Sequence, residues 1–203
     1  MDAFTTVAGA AAPLLRDNVD TDVIIRIERL TGTPKESMGE WAFETLRYRP
    51  DGTENPDFVL NQEPFRGAPI LIAGANFGCG SSREGAVWAL MGTGLRCVIA
   101  PSFGDIFFNN CFQNGMLPVR LPLEDVHRLA DQCAGGNARV TVDLRRQVVV
   151  FPHGEAVRFD IEPLRRDALL EGLDEVGLTL KQTEAISAYQ SRDRAARPWL
   201  WTT

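Results

Sequence analysis

The stretch that most constrains this chain is Ile70-Leu71-Ile72-Ala73-Gly74-Ala75-Asn76-Phe77-Gly78-Cys79-Gly80-Ser81-Ser82-Arg83-Glu84. An apolar run of strand length enters a turn containing Gly74, Gly78 and Gly80, and a helical pattern starts directly after it. Glycine lets the backbone take positive φ angles and approach a ligand closely. A helix entered from such a turn aims its unpaired first-turn N–H groups and its positive dipole end back at the loop. Strand, glycine turn and helix in this order make an anion pocket. They also commit the centre of the chain to an α/β architecture.

The kind of anion follows from what the turn lacks. A phosphate-cradling loop needs Lys-Ser or Lys-Thr after its glycines, and none is present. A dinucleotide fingerprint counted from Gly78-x-Gly80 needs a third glycine where Arg83 stands. A guanidinium at that place suits a carboxylate, so the expected ligand is a small organic acid. Ser81 has two readings. Ser81-x-x-Glu84 has the spacing of a capping box, in which both side chains satisfy helix-terminus N–H groups. As a base, the hydroxyl would need its alkoxide stabilised by backbone donors, a helix terminus or a guanidinium. The turn can supply all three, and the residues alone do not choose between the readings.

The rest of the chain narrows the chemistry by exclusion. With 203 residues, 44% hydrophobic and 24% charged, it has the composition of a folded domain with room for one well-buried core. A single domain over 1–203 is expected, with C-terminal helices at about 163–193. The net charge of -6 argues against a nucleic-acid or anionic-membrane partner. His127 and His153 lie far from any nucleophile or ligand pair, so histidine triads and zinc catalysis are not expected. Cys79, Cys97, Cys111 and Cys133 contain no CxxC and build no local metal or iron–sulfur site. The first basic residue, Arg16, comes too late for a signal peptide, and no segment is apolar enough to span a membrane. The reducing cytoplasm is the expected compartment.

Strands are expected in AFTTVAG near the start and at 22–27, 68–74, 95–100 and 117–121, followed by a hairpin of ARVTVDL and QVVVF. Helices are expected at 35–48, 82–92, 105–115, LEDVHRLADQC, 163–172 and 179–193. Pro163 suits a first helical position, and Thr179-x-x-Gln182 has capping-box spacing for the last helix. Strand–helix alternation in the centre with hairpin-like flanks predicts a mixed α/β sandwich. Trp41, Phe43 and Leu46, at helical spacing, read as packing residues.

The run from Asn76 to Glu84 resembles the signature of the aconitase-type swivel domain family, and most closely that of bacterial 3-isopropylmalate dehydratase small subunits. Asp17-Asn18-Val19-Asp20-Thr21-Asp22, Asn55-Pro56-Asp57-Phe58-Val59-Leu60-Asn61 and Ile99-Ala100-Pro101-Ser102-Phe103 agree with it in family order. So do Asp105-Ile106-Phe107, Gly172-Leu173-Asp174 and Gly177-Leu178-Thr179-Leu180. The resemblance implies a swivelling β/β/α domain, a mixed sheet sandwich flanked by helices. It implies isomerisation of 2-isopropylmalate to 3-isopropylmalate by dehydration and rehydration, in leucine biosynthesis. It implies an iron–sulfur large subunit as partner, carrying the [4Fe–4S] cluster, with no metal held by this chain and activity only in the complex. Residue by residue, Ser81 would be the base, Ser82 and Arg83 would bind substrate carboxylates, and Asp20 and Thr21 would border the site. Cys79 would be a loop residue without ligand duty, and the region before the glycine turn would help select the substrate side chain.

Two positions depart from the family pattern. Gly85 follows Glu84 where histidine is usual, and Ile24-Ile25-Arg26 replaces Ile-Ile-Pro. Both bear on substrate identity, leaving citramalate, dimethylmalate or maleate hydration as alternative activities. They also favour a second class of reading, a non-catalytic carboxylate-binding subunit that kept the fold. A stand-alone serine hydrolase is disfavoured, because there is no GxSxG elbow.

Overall fold

The computed structural model describes residues 1–81 and 83–201. The chain runs through β1 (Thr6–Gly9), β2 (Ala11–Leu14), helical turns α1 (Thr21–Ile24) and α2 (Ile27–Leu30), a 3-10 turn at Lys35–Trp41, and α3 (Glu44–Arg47). Then come β3 (Ile70–Ala73), α4 (Glu84–Gly92), β4 (Cys97–Ala100), α5 (Asp105–Asn114), β5 (Leu117–Arg120) and α6 (Leu123–Cys133). The hairpin of β6 (Val140–Asp143) and β7 (Val148–Val150) follows, with β8 (Ala156–Arg158), α7 (Pro163–Glu171), α8 (Glu175–Leu180) and α9 (Thr183–Ala196).

The strands form two sheets. One is parallel, in the order β2-β3-β4-β5; the other is antiparallel, in the order β1-β6-β7-β8. Side chains alternate across a strand, so the parallel sheet has two buried faces. Ile70 and Ile72, with Ile99 and Val119, join Val140 and Val142 of the other sheet and Val126 and Leu129 of α6 in one core. Leu71, Ala73, Val98 and Ala100 point the other way, onto Ala86, Val87 and Leu90 of α4. The layers are thus antiparallel sheet, parallel sheet, helices. That is the mixed α/β sandwich expected from the sequence, and every residue of β3 and β4 is buried in it.

Several local expectations are corrected. The apolar run at 22–27 is not a strand. Asp20 caps α1, its Oδ1 accepting from Val23 N at 2.8 Å, and Ile24 and Ile25 are buried from a helical turn. Val23, Ile24 and Ile25 are too few to show a period, so the Asp20 cap and the hydrogen bonds from Thr21 to Cys79 and Ser81 decide. The helix expected at 35–48 breaks at Phe43, where φ is 56° and the N–H donates to Ile24 O at 2.8 Å. Phe43 is wholly buried, with Trp41 and Leu46 packed against the same core, so these are packing residues although the helix their spacing assumed does not form. Thr179 lies inside α8 and donates to Glu175 O at 2.8 Å, while α9 begins without a side-chain cap, so that capping box is not formed. Pro163 does open α7. The short edge strand β8 has no counterpart among the expected elements.

Candidate active site at the carboxyl edge of the parallel sheet

Loops leaving β2, β3 and β4 meet at the carboxyl edge of the sheet, where open parallel sheets hold their ligands. The β2 loop is tied to the β3 loop by Asn18 N to Ala75 O at 2.8 Å and Gly78 N to Val19 O at 2.7 Å. Ala75 N also donates to Asp17 Oδ1 at 2.6 Å. The β4 loop is tied in from the other side. Asn76 N donates to Ser102 Oγ at 2.8 Å, Phe77 N to Ser102 O at 3.1 Å and Gly104 N to Phe77 O at 2.9 Å.

Gly78 is required twice over. Its φ is 72°, and a Cβ there would lie 2.2 Å from Phe107 Cγ. Gly80, at φ 88°, turns the chain outward toward α4. Ser81 is left exposed beyond it.

The acidic turn after β2 holds this loop from below. Asp20 pairs with Cys79 in a short parallel bridge, and Thr21 N donates to Cys79 O at 3.0 Å. Thr21 is only 1% exposed, and its hydroxyl donates to Ser81 O at 3.0 Å. Asp22 then forms an ion pair with Arg83 through Oδ1 and a terminal guanidinium nitrogen. The structure therefore gathers Asp20, Thr21, Ser81 and Arg83 in one place. Ser82, expected to bind a carboxylate, lies outside the described residues. Asp22 and Ser102 are not singled out by sequence; both sit in motifs that resemble the family, and only the fold shows what they touch.

The capping reading of Ser81 is corrected. The N-cap of α4 is Arg83, with no side-chain cap among the described residues, and Glu84 instead accepts from Asn114 Nδ2 at 2.8 Å. Asn114 in turn accepts from Trp88 Nε1 at 2.8 Å. Ser81 thus stands before a helix N-terminus without the duty its spacing suggested.

Of the two departures, Gly85 has a steric reason and Arg26 is a surface residue. A Cβ at Gly85 would fall 2.3 Å from Leu30 Cδ2, so Leu30 fills the space that a larger residue at 85 would need. Arg26 is exposed and pairs with Glu28 at 3.2 Å, on the rim of an open pocket with Trp41, Glu44 and Tyr48. Beside that pocket Arg29 lies 3.5 Å over the Trp41 ring and pairs with Glu44 at 2.5 Å. The guanidinium holds the Glu44 carboxyl below its usual range.

Among the described residues, no three histidine, cysteine or acidic side chains converge on a point where a metal could sit. Cys97, Cys111 and Cys133 are buried, which raises their thiol pKa values; that of Cys133 reaches about 11. His127 and His153 are exposed and remote from the turn.

The layer order and the turn together define the aconitase-type class of swivel domains, and the family model for the aconitase C-terminal domain matches residues 1–124. The model for the C-terminal domain of 3-isopropylmalate dehydratase small subunits matches 175–202. The small subunit of 3-isopropylmalate dehydratase from Gluconacetobacter diazotrophicus is 55% identical over 200 residues, 98% of this chain and 97% of the relative. Its counterpart from Paramagnetospirillum magneticum is 53% identical over 201 residues, 98% of this chain and 100% of the relative. A solved 3-isopropylmalate dehydratase structure from Methanocaldococcus jannaschii superposes with a TM-score of 0.66 at 27% identity, covering 91% of this chain and 99% of that one. The chain belongs to the family of 3-isopropylmalate dehydratase small subunits.

Proposed function

We propose that this chain is the small subunit of a hydro-lyase that isomerises 2-isopropylmalate to 3-isopropylmalate by dehydration and rehydration, in leucine biosynthesis. The observation that carries the reading is Ser81, exposed before the N-terminus of α4 and next to Arg83, in a chain 55% identical to such a subunit. Arg83, and Ser82 by its place in the motif, hold substrate carboxylates. Ser81, as an alkoxide favoured by the helix terminus and the guanidinium, takes the proton from the carbon beside a carboxylate. Loss of hydroxide from the neighbouring carbon gives an alkene diacid. Rehydration with the hydroxyl and proton exchanged between the two carbons completes the isomerisation. Asp20 and Thr21 serve this site by holding the loop, since the Thr21 hydroxyl is spent on Ser81 O.

The donor set of this chain does not fit an iron–sulfur cluster: its cysteines are scattered, three of them buried. We assign the [4Fe–4S] cluster to a large-subunit partner, which would complete the site over the exposed Ser81. We also take 1–203 as one domain, because both cores share the parallel sheet, and the cytoplasm as its compartment. No helix among the described residues is long and apolar enough to cross a membrane.

The test is co-expression with the large subunit, anaerobic cluster reconstitution and assay of 2-isopropylmalate against citramalate, dimethylmalate and maleate. Turnover of 2-isopropylmalate is expected, and Ser81→Ala should abolish it while the subunits still assemble. A fully active Ser81→Ala complex would remove serine from the mechanism. Calorimetry on the isolated chain separates the binding-module reading, which requires tight diacid binding without a partner.

A further inference from the structure

We propose that Asp22 is a positioning residue for Arg83, aiming its guanidinium at the substrate carboxylate from outside the contact shell. The proposal rests on the reading of Arg83 as a carboxylate binder. Among the described residues, the Arg83 side chain makes no other hydrogen bond or ion pair, and neither does Asp22. Their exposures are unequal: Arg83 is 12% exposed and Asp22 55%. The arginine is enclosed and directed by one carboxylate, which itself reaches it from the surface.

The contact engages one terminal nitrogen, and among the described residues nothing else binds Nε or the other terminal nitrogen, which can receive a second carboxylate side-on. A guanidinium is a rigid plane, so fixing one corner sets the direction of the remaining donors. The backbone beneath fixes the partner as well. Asp22 follows Thr21, whose N–H and hydroxyl hold Cys79 O and Ser81 O, and lies in an α1 capped by Asp20. One short helical turn thus holds the chain at 79, at 81 and at 83.

An ion pair whose acid is more than half exposed adds little to fold stability. Its removal should therefore act on substrate binding and spare the fold. A substrate carboxylate held alike in the ground and transition states appears mainly in KM.

The test uses the reconstituted complex and 2-isopropylmalate. Asp22→Ala should raise KM roughly tenfold, with kcat within twofold and an unchanged melting temperature. Asp22→Asn keeps the accepting oxygen and should restore KM to within about threefold of wild type. In an Arg83→Lys background, Asp22→Ala should add nothing. An unchanged or lowered KM in Asp22→Ala overturns the proposal, as does the same rise in the Arg83→Lys background. If Asp22→Ala fails to assemble, Asp22→Asn carries the test: a KM equal to that of Arg83→Lys overturns the proposal, and near-wild-type KM supports it. A wild-type complex inactive on 2-isopropylmalate would instead overturn the underlying reading.

Discussion

Gly39→Ala tests how α4, the helix that begins at the site, is seated. Gly39 lies in the 3-10 turn at Lys35–Trp41 and meets Gly92, at the far end of α4 from Arg83. A methyl group at Gly39 would stand 2.3 Å from Gly92 C and 2.5 Å from Gly92 O, where ordinary contact begins at 3.4 Å. The obstacle is backbone, so no rotamer relieves it. The two elements must part by about 1 Å, which a close-packed interior resists. Overpacking of this kind costs about 3 kcal/mol at the upper end of its usual range. Alanine also narrows the unfolded ensemble, returning about 0.7 kcal/mol. The net expectation is a loss of about 2 kcal/mol, read from the urea midpoint at constant m-value. Gly135→Ala is the control: nothing lies within 4 Å of its Cβ position. It should stay within about 0.5 kcal/mol of wild type. If the two variants unfold at the same urea concentration, the close approach of Gly39 to Gly92 does not hold α4 in place.

Gly78→Ala combines positive φ with a clash on Phe107 and should lose about 3 kcal/mol by the same measurement, together with activity of the complex. Gly85→His must evict Leu30 and should raise KM for the alkyl-substituted substrate, whereas Gly85→His with Leu30→Ala should recover part of the loss. A thiol reagent on the native chain should label Cys79 alone, with the three buried cysteines reacting only after denaturant; labelling of two or more at the same rate would contradict the core. Glu44, lowered by Arg29, contributes stability that is complete above its ordinary value of 4.5 and is lost as pH falls through the depressed folded value. Glu44→Gln should therefore narrow the gap to wild type below that pH, and urea midpoints that differ equally at pH 7 and pH 3 would refute the assignment.

What can be read from sequence is what is local. The β3 strand, its glycine turn and α4 are contiguous and carry their own punctuation. Their order follows without the rest of the fold, and so does the expectation of an anion-binding turn. The run after Asp20 reads as a strand yet folds as a helical turn, because its identity is settled by hydrogen bonds from Thr21 to Cys79 and Ser81, which are distant in sequence. AFTTVAG is legible as a strand, but the switch at Ala10 is not: β1 pairs with β6 and β2 with β3, so the chain changes sheets between them. β8 is three residues at a sheet edge, too short to show a period. Ser81 and Arg83 can be named from their motif. The partner of Arg83 cannot, because an ion pair across 61 residues leaves no mark on local spacing.

The pairing of β2, β3 and β4 in one parallel sheet makes the sheet a ruler for the site. Neighbouring strands lie about 4.8 Å apart, so the roots of the loops carrying Asp20, Ser81 and Ser102 are spaced by backbone hydrogen bonding rather than by loop length. Insertions in the loops can change what they present without changing the interval between their origins. A ligand gripped by adjacent loops is measured against that interval. Selection can then vary what the β2 and β4 loops present while the spacing of their origins from the β3 loop stays fixed.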